Sequence, residues 1–89
     1  MDEDELPPMP PALPNGNYPA IESARVMLAR DLITLRKTAR LSQAEVARRA
    51  GVRPETLNRI EKAKVSADLA TVDKIIAVLS RAKNSSHRG

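Results

Sequence analysis

The amino-acid sequence predicts an all-α protein in which four to five helices pack into one compact domain. Its 89 residues suffice for one hydrophobic core, and chains of this size rarely divide into two. Aromatic residues, which favour strands, make up only 1% of the chain. From Ile21 onward, apolar residues recur at the three- and four-residue steps of a helix face. These observations favour packed helices over a small barrel or sandwich.

A proline-rich segment precedes the helices. Six of the seven prolines fall within the first 19 residues, together with four acidic residues and no basic ones. Proline donates no backbone hydrogen bond and stops helices, so we expect residues 1–18 to form a flexible, disordered arm. The folded domain is then expected over residues 19–83, with a flexible tail over residues 84–89.

Local signals place the first two helices. Helical spacing of apolar residues predicts a first helix over about residues 19–39. Ser42 and Glu45 form an S-x-x-E capping box, in which each side chain is expected to bond the other residue's amide, so the second helix begins at Gln43. It ends at Gly51, a residue type that adopts the left-handed conformation without strain. The apolar stripe that the first helix is expected to bury in the core consists of Ile21, Ala24, Leu28, Leu32 and Leu35.

Pro54 and Ser66 indicate where the third and fourth helices begin. Proline suits the first position of a helix, because the amide it lacks has no intrahelical partner there. The third helix is therefore expected to run from Pro54 to about Lys62. Ser66 is expected to cap the fourth helix, whose apolar stripe consists of Leu69, Val72, Ile75, Ile76 and Leu79.

Charge divides the chain more sharply than its net value of +4 suggests. Residues 1–20 carry −4 and residues 21–89 carry +8, because every lysine and arginine follows residue 20. A basic compact body is typical of proteins that bind polyanions. An arginine-rich helical domain without such a partner explains the charge equally well.

Several classes of protein do not fit the composition. The chain has no cysteine, and its one histidine, His87, lies near the carboxyl end. We therefore expect no enzyme, no metal site, no cofactor and no small-molecule substrate. No apolar run reaches the roughly 20 residues that span a bilayer, and the acidic start differs from a secretion signal. We expect a cytoplasmic protein that does not bind membranes.

Residues 43–62 follow the pattern of two helices that cross at a short turn. Ala47 is small where the helices approach, and Gly51 makes the turn. This segment, LSQAEVARRAGVRPETLNRIEKAK at 41–64, resembles the helix-turn-helix of the phage-repressor-like family, also called Cro-type or xenobiotic-response-element-type regulators. The resemblance covers roughly residues 21–80. It implies a lambda-repressor-like fold and a transcription regulator, most often a repressor, that binds double-stranded operator DNA in a sequence-specific way.

The resemblance also implies which residues meet the DNA, with the third helix in the major groove and the start of the second on the phosphates. We expect Arg59 and Asn58 to read bases, because arginine pairs with guanine and asparagine with adenine. Arg53 suits a base or a phosphate equally, and Glu55 either accepts from cytosine or is a tolerated surface acid. The positions that match family DNA contacts are Ser42, Gln43, Arg53, Pro54, Glu55, Asn58 and Arg59.

Basic residues around the motif are candidates for phosphate contacts. Lys62 and Lys64 follow the third helix, and Arg40 and Arg49 lie before and within the second. A solvated surface charge is as good an interpretation of each one alone. Two positions depart from the family pattern: Pro54 replaces a polar residue and can make only apolar contacts, and Ala63 stands where the family usually has glycine.

Arg36 and Glu61 receive a structural role from the resemblance. In the family the matching positions form an ion pair that joins the first helix to the end of the third. We expect these two residues to maintain the architecture rather than to contact DNA.

The resemblance suggests two kinds of protein partner. Such domains usually bind DNA as symmetric dimers, and Val78 and Leu79 are candidates for the dimer surface unless they complete the core. Small family members with an additional arm are often antitoxins of type II toxin–antitoxin modules. Residues 1–18 are therefore expected to bind a basic toxin surface, or else to serve as a solubilising tail. The alternative function is a protein-interaction module in which DNA binding is secondary.

Overall fold

The computed structural model describes residues 6–17 and 19–86, and it contains four α-helices over that part of the chain. They are α1 (Ala20–Thr38), α2 (Gln43–Ala50), α3 (Pro54–Glu61) and α4 (Leu69–Ser86). Residues 6–17 and 19–86 include no strand, so the all-α prediction is confirmed. None of the described helices is both long enough and apolar enough to span a membrane. The acidic residues 2–5, Tyr18 and His87 lie outside the described residues.

Three of the helices end in the same way, although only one ends at a glycine. Arg40, Gly51 and Ala63 follow α1, α2 and α3 with φ values of 59°, 71° and 60°. In each case this left-handed residue donates its amide to the carbonyl three residues earlier, and the next residue donates to the carbonyl five residues earlier. These paired bonds satisfy helix carbonyls that would otherwise lack a partner. The absence of glycine at residue 63 therefore leaves the turn unchanged and places an alanine in a strained conformation.

The core lies between the helices and is built from aliphatic side chains of all four. It contains Leu32, Val46, Ala47, Ala50, Leu57, Ile60, Ile75, Val78 and Leu79. Val78 and Leu79 are thus part of the core, and the structure removes them as candidates for a dimer surface.

The face that α1 buries matches the predicted stripe only in part, because Leu32 is buried and Leu28 packs against the core while other members are exposed. Ile21 is 66% exposed and Leu35 is 37% exposed, whereas Ala29 and Ile33 are fully buried. The sequence carries two apolar stripes on this helix, and helical spacing alone does not decide between them. Packing of α1 on α3 and α4 buries a face that shares only Leu32 with the predicted stripe. The buried residues of α1 are Val26, Ala29, Leu32, Ile33 and Arg36.

The start of α4 also differs from the prediction. The Oδ1 atom of Asp68, not Ser66, caps the helix by accepting a hydrogen bond from the Thr71 amide at 3.1 Å. The Oγ atom of Ser66 instead accepts from Nε of Arg25 at 2.8 Å. Leu69 is 83% exposed and lies outside the core. At the other end, the backbone remains helical to Ser86, beyond the predicted end at residue 83.

Residues 6–17 of the arm are neither helical nor extended in a sheet. A turn reverses the chain where the Gly16 amide donates to the Leu13 carbonyl at 2.9 Å. The segment that precedes this turn contacts α1, where Nη1 of Arg30 donates to the Pro7 carbonyl at 3.2 Å. Most of its side chains are exposed.

Candidate nucleic-acid interface

Helices α2 and α3 form a helix-turn-helix whose connection is three residues long. Ala47 has no exposed surface, and Gly51 makes the turn in the left-handed conformation. One face of each helix is buried, by Val46 and Ala50 on α2 and by Leu57 and Ile60 on α3. The opposite face of α3 is therefore left to solvent.

The predicted capping box at the start of α2 is half formed. The Oγ atom of Ser42 accepts from the Glu45 amide at 3.1 Å, as expected. The Glu45 carboxylate does not return the bond to Ser42 and instead accepts from the guanidinium groups of Arg48 and Arg49. Charged donors bind a carboxylate more strongly than a neutral amide does. The two arginines lower the pKa of Glu45 to about 2, with the hydrogen bond from Arg48 as the larger cause.

Two of the predicted DNA-contacting residues meet where the two helices of the motif cross, and the others are exposed. Gln43 and Asn58, which belong to α2 and α3, are half-buried. Their side-chain amides are 3.1 Å apart, so the amino end of α2 lies beside the middle of α3. The exposed members of the set are Ser42, Arg53, Pro54, Glu55, Arg59, Lys62 and Lys64.

This surface, which we call the α3 face, carries an excess of positive charge. It consists of the solvent side of α3 with Arg53 before it and Lys62 and Lys64 after it. Glu55 is the one exposed acid among these positions. The predicted phosphate contact Arg49 differs from the others because its guanidinium already pairs with Glu45.

A buried ion pair lies directly beneath the α3 face. Nε and Nη2 of Arg36 each donate to one carboxylate oxygen of Glu61 at 2.9 Å, and each residue is only 3% exposed. Nη1 of Arg36 also donates to the Leu41 carbonyl at 3.0 Å. The pair joins α1 to the last residue of α3, and so fixes the position of α3 relative to α1.

The ion pair continues into the α3 face through two amides. Nε2 of Gln43 donates to Oε1 of Glu61 at 2.8 Å, and Nδ2 of Asn58 donates to Oε1 of Gln43 at 3.1 Å. Sequence reasoning identified all four residues and paired Arg36 with Glu61, but it did not connect Gln43 and Asn58 to that pair. Gln43 lies 15 residues from Asn58 and 18 from Glu61, and only the crossing of α2 and α3 brings them together.

Within the described residues, no group of three or more histidine, cysteine, aspartate or glutamate side chains is arranged to hold a metal ion. The α3 face presents guanidinium, ammonium and amide groups together with the Glu55 carboxylate.

Comparison with known proteins gives a match at the level of a family. The family model described as helix-turn-helix matches residues 32–81, which run from the middle of α1 through most of α4. No curated protein and no solved structure shows a significant match. The matched segment includes every residue of the α3 face and both members of the ion pair.

Proposed function

This chain belongs to the phage-repressor-like, Cro-type helix-turn-helix family of double-stranded-DNA-binding transcription regulators, and from that membership we propose that it is a repressor. It binds an operator as a symmetric homodimer in the cytoplasm and excludes RNA polymerase from the promoter. The family is one of regulatory DNA-binding domains rather than of enzymes. The observation that carries the proposal is the exposed, basic α3 face, held in place by the buried Arg36–Glu61 pair.

We assign sequence reading to Arg59 and Asn58. Arg59 is exposed on the last turn of α3 and has the donors that match O6 and N7 of guanine. Asn58 is half-buried, and its amide suits N6 and N7 of adenine. Arg53 at the start of α3 contacts a base or a phosphate, Glu55 either accepts from cytosine N4 or is a tolerated surface acid, and Pro54 contributes apolar contact only.

We assign phosphate contacts to both ends of the motif. The first amides of α2 and the hydroxyl of Ser42 are available where the helix dipole favours negative charge. Lys62 and Lys64 are exposed just after α3, where they reach the backbone beside the groove. These contacts give affinity without sequence preference.

The length of α3 supports a dimer. Its eight residues extend about 12 Å, which corresponds to roughly four base pairs of duplex. A recognition helix of this length contacts too few base pairs to specify an operator by itself. A second copy related by two-fold symmetry doubles the number of base pairs contacted, with the half-sites about one helical turn apart.

Binding-site selection from random duplexes tests the proposal. Arg59→Ala is expected to lose about 1–3 kcal/mol of discrimination at one base position, because arginine is the group that distinguishes that base. Lys62→Ala is expected to weaken all duplexes alike and to reduce the salt slope by about one. Lys74→Ala, an exposed lysine of α4 outside the α3 face, serves as the charge-matched control. If Arg59→Ala keeps full discrimination, the assignment of the reader is wrong. If the parent selects no sequence at all, the proposed repressor function is wrong.

The arm supports a second function, that of an antitoxin which represses its own operon. Leu6, Met9 and Leu13 are 38%, 42% and 43% exposed on a segment without regular structure. Together with the acidic residues 2–5, they offer a toxin both apolar side chains and negative charge. A segment of this kind can wrap a basic surface as it orders on binding.

Deletion of residues 1–18 separates the two functions. An antitoxin is expected to lose neutralisation of the toxin encoded beside it while it keeps its operator affinity. The full-length variant in which Leu6, Met9 and Leu13 are all changed to serine tests the apolar contacts without removing the charge. Unchanged neutralisation by both variants would exclude the arm as the partner segment.

A further inference from the structure

We propose that Glu61, besides its structural role, fixes which way the Asn58 amide points and thereby makes Asn58 select adenine over guanine. Glu61 acts through Gln43 and is a positioning residue, since it is buried beneath the surface that meets DNA. This inference rests on the proposed function, and it adds a residue that determines specificity without touching a base.

The direction of each hydrogen bond in the chain is set by the carboxylate. Glu61 is paired with Arg36 and can only accept hydrogen bonds. Gln43 lies 2.8 Å from Oε1 of Glu61 and must therefore present its Nε2 to that oxygen. Rotation of the Gln43 amide by half a turn would place two oxygens against each other.

The orientation of Gln43 determines that of Asn58. With Nε2 turned to Glu61, Gln43 presents Oε1, an acceptor, toward Asn58. Asn58 must then donate from Nδ2, and it does so at 3.1 Å. One N–H of Nδ2 is used in this bond, so the second N–H and the whole of Oδ1 remain for a ligand.

This remaining pair of groups matches adenine and mismatches guanine. Adenine offers a donor at N6 and an acceptor at N7, which complement the Oδ1 and the N–H of Asn58. Guanine offers two acceptors, O6 and N7, and would require Asn58 to turn its Nδ2 outward. That rotation is opposed because Oδ1 of Asn58 would then face Oε1 of Gln43. A free asparagine can pair with adenine in the same way but pays no penalty for turning toward guanine, so the relay of bonds from Glu61 to Asn58 strengthens the preference for adenine.

Two substitutions of Gln43 test the relay while leaving the ion pair intact. Gln43→Leu removes both amide bonds and frees Asn58 to rotate. Gln43→Lys supplies a donor in place of the acceptor, so Asn58 should turn Oδ1 inward and present both of its outward N–H groups to the groove. Selection from random duplexes then measures the adenine-to-guanine ratio at the position where Asn58→Ala loses its preference.

In the parent we expect adenine to be preferred at that position by roughly 5- to 150-fold. Gln43→Leu should lower the ratio, and Gln43→Lys should reverse it toward guanine. Glu61→Gln, which can donate as well as accept, should also lower the ratio if it folds. Ala44→Lys adds the same charge at the next, exposed residue of α2 and should raise affinity for all duplexes without changing the ratio.

The outcomes separate the inference from the function on which it rests. If Asn58→Ala loses adenine preference but both Gln43 variants keep the parental ratio, the relay is refuted and the repressor proposal stands. If Asn58→Ala changes no base preference, Asn58 is not a reader and the inference is refuted with it. If the parent selects no sequence, both fail. Thermal unfolding of each variant, followed by circular dichroism, shows that a changed ratio does not come from a lost fold.

Discussion

Replacing Arg36 by alanine is expected to lower the free energy of unfolding by about 3–5 kcal/mol. Arg36 and Glu61 are each 3% exposed and share two hydrogen bonds of 2.9 Å. Truncation of Arg36 leaves the Glu61 carboxylate almost fully buried, with the Gln43 amide as its remaining described partner. Removal of one member of a buried pair costs far more than the pair itself contributes, because the other charge stays buried without compensation.

That loss is large compared with the stability of a chain of this size. Small domains unfold with about 0.05–0.15 kcal/mol per residue, or roughly 4–13 kcal/mol for 89 residues. Arg36→Ala should therefore unfold at a much lower urea concentration than the parent, as measured by far-ultraviolet circular dichroism.

Arg48→Ala is the matched control for this experiment. Arg48 also donates two hydrogen bonds to a carboxylate, that of Glu45, but its side chain is 71% exposed. Exposed ion pairs contribute about 0–1 kcal/mol, so this variant should remain close to the parent. If Arg36→Ala costs no more than Arg48→Ala, the reasoning about burial is wrong.

A second variant keeps the prediction testable if Arg36→Ala does not fold. Replacement of the whole pair by apolar residues of similar size, Arg36→Met with Glu61→Leu, leaves no buried charge. Such replacements are often neutral or stabilising. Recovery of a cooperative unfolding transition in this double variant is expected, and its absence would contradict the attribution of the loss to an uncompensated charge.

Three further predictions follow from helix ends and surface charge. Ala63→Gly should raise the free energy of unfolding by about 0.5–1 kcal/mol, because it relieves the strain at φ 60°. Ala77→Gly, at an exposed position of α4, should lower it by about 1 kcal/mol. Equal shifts in the melting temperatures of the two variants would refute this prediction. Asp68→Ala should cost about 1 kcal/mol because it removes the cap of α4, and Ser66→Ala should cost less in the same urea titration. The pKa of Glu45 is lowered from 4.5 to about 2 in the folded protein. The contribution of Glu45 to the free energy of unfolding is therefore present above pH 4.5 and is lost as the pH falls toward 2. The urea midpoints of Glu45→Gln and the parent should therefore differ most above pH 4.5 and converge near pH 2; a constant difference would contradict the assignment.

Helix boundaries could be predicted because their signals are local. Ser42, Gly51 and Pro54 each act on backbone groups within about one turn, and the structure places the ends of α2 and α3 where these residues indicate. The end of α3 is instructive, because Ala63 adopts the left-handed conformation that its residue type disfavours. Carbonyls at a helix end need partners whether or not a glycine follows.

Choices between similar residues could not be predicted. Ser66 and Asp68 are both good caps and lie two residues apart, but Ser66 is taken by Arg25, which belongs to another helix. The second bond of the capping box failed to form for the same reason at shorter range, since two guanidinium groups compete with the Ser42 amide for the Glu45 carboxylate. In both cases a stronger or nearer partner decided the outcome.

The sequence by itself determined the all-α fold class, the boundaries of α2 and α3, and which residues of α3 are exposed. These depend on backbone dihedral angles and on hydrogen bonds that close within a few residues. Only the tertiary structure decided which side of α1 is buried, that Val78 and Leu79 belong to the core, and that Glu61, Gln43 and Asn58 form one chain of hydrogen bonds. Those features depend on which helices pack together, and apolar spacing leaves the orientation of a helix with two apolar stripes undetermined until its neighbours are in place.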